Sequence, residues 1–155
     1  PTAIVLTRQN MPTLDRTKFS GAEGLSRGAY ILCDAPDGKP QVLLLASGSE
    51  LALAVAAQEQ LATSGIKARV VSVPSFELFE DQPQSYRDEV LPPPVTARVA
   101  VEAGIQQGWD RYLGSQGAFI GMTGFGMSAP FEKIYEAIGI TPAKIVAEAQ
   151  RQLGK

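Results

Sequence analysis

Residues 42–73 read VLLLASGSELALAVAAQEQLATSGIKARVVSV. The first five, Val42 to Ala46, form a continuous apolar run of strand length, the pattern of a strand buried on both faces. Leu51 to Thr63 is rich in Ala, Leu, Glu and Gln, which predicts a helix. Ser49 is placed to cap it, and Glu50 suits the positive end of its dipole. Gly65 fits the left-handed residue just past a helix end. Ala68 to Val73 is again apolar and β-branched, closed by Pro74. Strand, helix and strand in this order require a right-handed crossover and a parallel pair. The unit therefore sets an α/β fold.

The same alternation continues outward. Ala29 to Asp34 reads as a strand, followed by turn chemistry at Pro36-Asp37-Gly38. Phe76 to Leu91 is helical, interrupted by Pro83 and stopped by Pro92-Pro93-Pro94. Ala97 to Glu102 is a strand, Gly104 to Gly114 a short helix, and Gly117 to Met122 another strand. Phe131, Ile134, Tyr135 and Ile138 recur at helical spacing, and Gly139 ends that helix. Thr141-Pro142 starts the last one, with Ile145, Val146, Ala149 and Leu153 as its apolar stripe. At the other end, Ala3 to Leu6 reads as a strand that ends at Thr7 and leads into Arg8, Gln9 and Asn10. Residues 11–28 are polar and Gly-rich and read as a linker. The whole is a three-layer α/β domain with a mostly parallel sheet.

At 155 residues the chain is one domain with room for a real core. Hydrophobic residues make up 45% and charged ones 19%, with mean hydropathy near zero, an ordinary soluble globular composition. The net charge is −2 and the basic residues are scattered, which argues against a nucleic-acid partner. No apolar run approaches the ~20 residues of a membrane span, and no signal peptide is visible. Cys33 is the single cysteine. It cannot form an internal disulfide, fits a cytoplasmic location, and reads as a small apolar strand residue. There is no histidine, which removes the commonest general base and metal ligand. The first residue is Pro1, not Met, so the chain is expected to be cut from something longer.

Few residues are candidates for chemistry. Gly48-Ser49-Glu50 is either a capped turn or an anion site at a helix N-terminus; Glu50 would repel the anion. The Gly121, Gly124 and Gly126 loop lacks dinucleotide-fingerprint spacing, so a βα connection is the simpler reading. Glu102 stands at a strand's carboxyl end, where such sheets carry sites, with Trp109 just beyond. It is the best acid/base candidate, but a structural carboxylate is the simpler alternative. Ser47, Ser49, Ser72 and Ser75 have no nucleophile elbow and no histidine to activate them. Cys33 has no Cys or His partner for a metal. Arg8 offers a planar fork for phosphate or carboxylate, or equally an interdomain salt bridge.

Several stretches together resemble the C-terminal part of a transketolase. They run from Leu6-Thr-Arg-Gln-Asn10-Met-Pro12 through Ala46-Ser-Gly-Ser-Glu50, Val70-Val-Ser-Val-Pro-Ser75, Tyr86-Arg87 and Val90-Leu91-Pro92. Thr96-Ala-Arg-Val-Ala-Val-Glu102-Ala-Gly104, Trp109, Ile120-Gly-Met, Phe125-Gly-Met-Ser-Ala-Pro130 and Ile138-Gly-Ile-Thr141 complete the series. The resemblance implies a five-stranded α/β/α sandwich with one antiparallel strand. It makes residues 1–10 the terminal strand of a preceding pyrimidine-binding domain, 11–27 a linker, and 28–155 the C-terminal domain. It implies a parent enzyme that moves a two-carbon ketol unit between sugar phosphates. That parent is a cytoplasmic homodimer of the pentose phosphate pathway using thiamine diphosphate and a divalent metal (Mg or Ca). Arg8 matches the family's sugar-phosphate arginine. No catalytic, cofactor or metal residue falls in this chain, so the fragment is expected to be inactive and to contribute to assembly. The alternatives are a regulatory ligand-binding domain, or the C-terminal domain of a deoxyxylulose-phosphate synthase or 2-oxoacid dehydrogenase.

Overall fold

A computed structural model describes residues 2–155. Pro1, the first residue of the expected terminal strand, lies outside the described residues. Five strands form one sheet: β1 (Tyr30–Cys33), β2 (Val42–Ala46), β3 (Ala68–Ser72), β4 (Arg98–Val101) and β5 (Ala118–Ile120). Their order is β1-β3-β2-β4-β5. β1 runs antiparallel to β3, and every other pair is parallel. The helices are α1 (Leu51–Thr63), α2 (Phe76–Glu80), α3 (Gln84–Val90), α4 (Asp110–Leu113), α5 (Phe131–Ile138) and α6 (Pro142–Gln152).

β2 is the centre of the sheet. All five of its residues are fully buried. Val42, Leu44 and Ala46 face one layer, with Val70, Val99, Ala54, Leu61, Ile145 and Ala149. That layer is built by α1 and α6. Leu43 and Leu45 face the other, with Val71, Ala100, Phe79, Trp109 and Tyr112 from α2 to α4. Strand side chains alternate between faces, so a strand covered on both must be apolar throughout.

One row of the sheet departs from that rule. Leu43 pairs with Arg69 of β3 on one side and with Arg98 of β4 on the other. Arg69 is 5% exposed. Its Nε and Nη2 donate to the two carboxylate oxygens of Asp34 at 2.7 and 2.8 Å. Its Nη1 donates to the Glu89 and Val90 carbonyls at 2.6 and 3.2 Å. Arg98 donates to the carbonyls of Val95, Tyr112, Leu91 and Pro92. The two forks thus satisfy carbonyls that α3 and α4 leave unpaired at their C-terminal ends, where a cation is also favoured by the helix dipole. They fix the Pro92–Pro94 stop against the sheet.

The sequence reading needs three corrections. Residues 2–7 form no strand: Ile4, Val5 and Leu6 are exposed, and among the described residues no strand pairs with them. The expected linker segment packs on the fold. It carries a 3-10 helix at Ala22–Arg27, Leu14 and Phe19 pack against the first core layer, and the Ser20 amide donates to the Leu32 carbonyl. Ser49 does not cap α1, because a 3-10 turn over Gly48–Glu50 precedes the helix and the Ser49 hydroxyl donates to Glu50 instead. Helix forms only at Asp110–Leu113 within the span 104–114, after a backbone turn at Gly108 with φ +93°. Elsewhere the signals hold: Gly65 and Gly139 take positive φ, and the Thr141 hydroxyl accepts from the Lys144 amide with Pro142 beside it.

Replacing Arg69 by Met leaves Asp34 and two helix-end carbonyls without their donor. The expected loss is about 3 kcal/mol of unfolding free energy, read from urea denaturation of wild type and variant.

Candidate functional site

The chain leaves β2 for β3 on one side and returns to β4 on the other. The carboxyl ends of β2 and β4 are therefore the topological switch point, where open α/β sheets bind ligands. Ser47 follows β2 directly and Glu102 follows β4 directly. Here the structure brings together Ser47, Ser49, Glu50, Glu102 and Trp109 from the sequence candidates, and adds Tyr135.

Both carboxylates are fully engaged. The Ser47 hydroxyl donates to Glu102 Oε1 at 2.6 Å. The indole N–H of Trp109, itself wholly buried, donates to Glu102 Oε2 at 2.7 Å. Glu50 is 4% exposed. Its Oε1 accepts from the Ser49 hydroxyl at 2.6 Å and the Tyr135 hydroxyl at 2.5 Å, and its Oε2 from the Ala103 amide at 3.2 Å. Burial first, and then the Glu50 carboxylate beside it, push the Tyr135 phenol above its ordinary range. It stays a donor at neutral pH.

This arrangement ties structure together. Glu102 joins the end of β2 to the loop that carries α4, and Glu50 joins the start of α1 to α5 and to the residue after Glu102. A general base needs a lone pair within reach of a substrate proton. Here a hydroxyl donates to one Glu102 oxygen and an indole N–H to the other, a bonding pattern that suits a structural carboxylate. Its partners are a hydroxyl and an indole.

The remaining candidates do not join a site. A Cβ on Gly121 would lie 2.6 Å from the Gly104 carbonyl and 2.3 Å from the Phe119 ring, so close packing requires glycine there. Gly124 and Gly126 face open space and have no positive φ. Ser72 is buried in β3, and Ser75 caps α2 by accepting from the Leu78 amide. Cys33 is a partly buried free thiol against the first core layer. Arg8 is exposed and stands outside both carboxylate networks, although Gln9 is half-buried and lies beside the Tyr135 hydroxyl. Sequence reasoning missed the role of Tyr135, because its partner Glu50 is 85 positions away and helical spacing assigns the tyrosine only to the core.

Tyr135→Phe keeps the ring and removes one donor from a buried carboxylate. The expected cost is about 1–3 kcal/mol in chemical denaturation, with an unchanged dependence on denaturant.

Comparison with known proteins fits this geometry. The Transketolase-like TK C-terminal domain profile matches residues 28–141. A transketolase of Geobacillus stearothermophilus is 52% identical over 155 residues, which is 100% of this chain and 23% of that protein. Transketolase 1 of Escherichia coli K12 is 50% identical over 153 residues, 99% of this chain and 23% of that one. A solved transketolase of Pichia stipitis, in complex with sedoheptulose 7-phosphate, superposes with a TM-score of 0.82 at 32% identity. The match covers 95% of this chain and 20% of that one. The chain thus spans less than a quarter of the length of these relatives, and the neighbouring thiamine-enzyme families are not favoured. With its five-stranded sheet and its locked carboxyl end, the chain belongs to the transketolase family, as the C-terminal domain.

Proposed function

We propose that this chain is part of a transketolase that transfers a two-carbon ketol unit between sugar phosphates, and that its own role is structural. The observation that carries this is the match at about half identity along the whole chain, residues 6–12 included. Residues 1–10 then belong to the terminal strand of a pyrimidine-binding domain, 11–27 to a linker, and 28–155 to the C-terminal domain. The exposed side chains of Ile4, Val5 and Leu6 suit a segment whose packing partners lie elsewhere in the protein.

The parent enzyme would use thiamine diphosphate and a divalent metal. The carboxylates of this chain do not suit the metal. Among the described residues no three His, Cys, Asp or Glu side chains converge. The buried Glu50 and the part-buried Glu102 would have to surrender O–H and N–H donors to take a cation. No step of the reaction is therefore assigned to this chain. The parent is read as a cytoplasmic homodimer in which this domain supports assembly. Among the described residues, no helix is long and apolar enough to cross a membrane.

Arg8 is the one residue assigned to substrate. An exposed guanidinium at a chain segment beside the sheet's carboxyl end suits a phosphate, which its fork can bind through two N–H groups. A Pichia stipitis relative was solved with a sugar phosphate, which supports that substrate class. In the full-length enzyme, Arg8→Ala should raise KM for phosphorylated donors about 10- to 100-fold, the loss of one charge-assisted contact. Non-phosphorylated donors should change little. An equal loss for both would make Arg8 structural. The 155-residue chain, given thiamine diphosphate and Mg²⁺, should show no ketol transfer; turnover would overturn the division of labour.

A further inference from the structure

A cavity of about 510 Å³ opens between α3, α4 and the start of β4, a strand's length from Glu102. Three arginines reach its wall, Arg87, Arg98 and Arg111, against two carboxylates, Glu80 and Asp88. Both carboxylates already have donors. Glu80 accepts from the Tyr112 hydroxyl and from Arg87 Nη1, each at 2.8 Å. Asp88 accepts from the Gln84 amide at 2.7 Å.

The arginines are less well matched. Arg98 is half-buried and donates only to backbone carbonyls, whose partial charges do not amount to a counter-ion. Neither Arg98 nor Arg111 forms an ion pair among the described residues. Arg87 Nε is buried with no hydrogen-bond partner. Desolvation lowers the pKa of Arg98 with no carboxylate to oppose it. The rest of the wall is mixed: Phe79, Leu91, Leu113 and the ring of Tyr112 give its apolar part, and Gln84, Thr96, Ser115 and Gln116 its polar part.

We propose that this cavity is a second, non-catalytic binding site for a phosphomonoester carried on a small apolar or aromatic body. A phosphate supplies the missing negative charge, and the fork that matches it is that of Arg111, whose N–H groups are not taken by carbonyls as those of Arg98 are. The apolar wall takes the organic part, and a concave site with a few convergent polar groups is the usual form of a small-molecule pocket. The ligand would bridge α3 and α4, which Arg98 and Glu80 of α2 already link through hydrogen bonds.

The test is titration of the 155-residue chain with phenyl phosphate, followed by amide chemical shifts, with inorganic phosphate and benzoate as parallel arms. Arg111→Ala is the informative variant, because Arg111 is exposed and its removal leaves the packing intact. Saturable shifts confined to residues 79–91 and 96–116 are expected with phenyl phosphate. Inorganic phosphate, benzoate and the Arg111→Ala variant should each bind at least about tenfold more weakly, which is one decade in Kd. The proposal is overturned by an absence of saturation up to about 10 mM. It is overturned equally if Arg111→Ala binds as well as wild type, or if inorganic phosphate or benzoate binds as well as phenyl phosphate.

Discussion

β2 has a hydrogen-bonded strand on each side and a helical layer on each face, so an unpaired polar side chain there would be costly, and all five of its residues are apolar. That single constraint distributes charge over the molecule. Charged groups that join the layers are displaced onto neighbouring strands or to the strand ends. Two cationic forks, Arg69 and Arg98, flank Leu43 and hold the C-terminal ends of α3 and α4. Two carboxylates, Glu50 and Glu102, stand at the opposite end of the same strands. Glu50 lies at the N-terminal end of α1, where a negative charge complements the helix dipole as the arginines do at helix C-termini. Charge and backbone polarity agree at both ends of the sheet.

The functional consequence follows from how the carboxyl end is filled. In an open α/β sheet the crevice at the switch point is the natural place for a ligand. Here Ser47, Trp109, Tyr135 and Ser49 all donate into it, and the loop from Glu102 to Gly104 folds over it. The domain uses its most site-like position for cohesion.

Much of this architecture was legible from residue order. The run 42–73 dictates a parallel strand pair with an intervening helix, and Gly139 followed by Thr141-Pro142 marks a helix end and the next helix start. Local signals failed where a competing bond or packing demand outcompeted them. Ser49 has the chemistry of a cap, but its hydroxyl is drawn to Glu50. The stretch 104–108 has ordinary composition for a helix, yet Gly108 must turn there, its added Cβ would lie 2.9 Å from Phe76, and the buried indole of Trp109 points at Glu102. Ala3 to Leu6 has the composition of a buried strand, but a strand needs a neighbour. The Glu50–Tyr135 pair and the two-arginine row have no signature at any local spacing, since their partners are set by the topology. At Arg8 the residue type alone leaves phosphate and a salt bridge equal, and only the family resemblance favours phosphate.

The most direct measurement is steady-state kinetics and thermal unfolding of the full-length enzyme carrying Glu102→Gln, and separately Glu50→Gln. Carboxylates that only hold the sheet's carboxyl end together should lower the melting temperature by several degrees, as about 1–3 kcal/mol implies for a domain of this size, while kcat and KM per folded enzyme stay within about twofold of wild type. A fall in kcat of about a hundredfold or more with an unchanged melting temperature would contradict this, and would return Glu102 or Glu50 to the catalytic machinery.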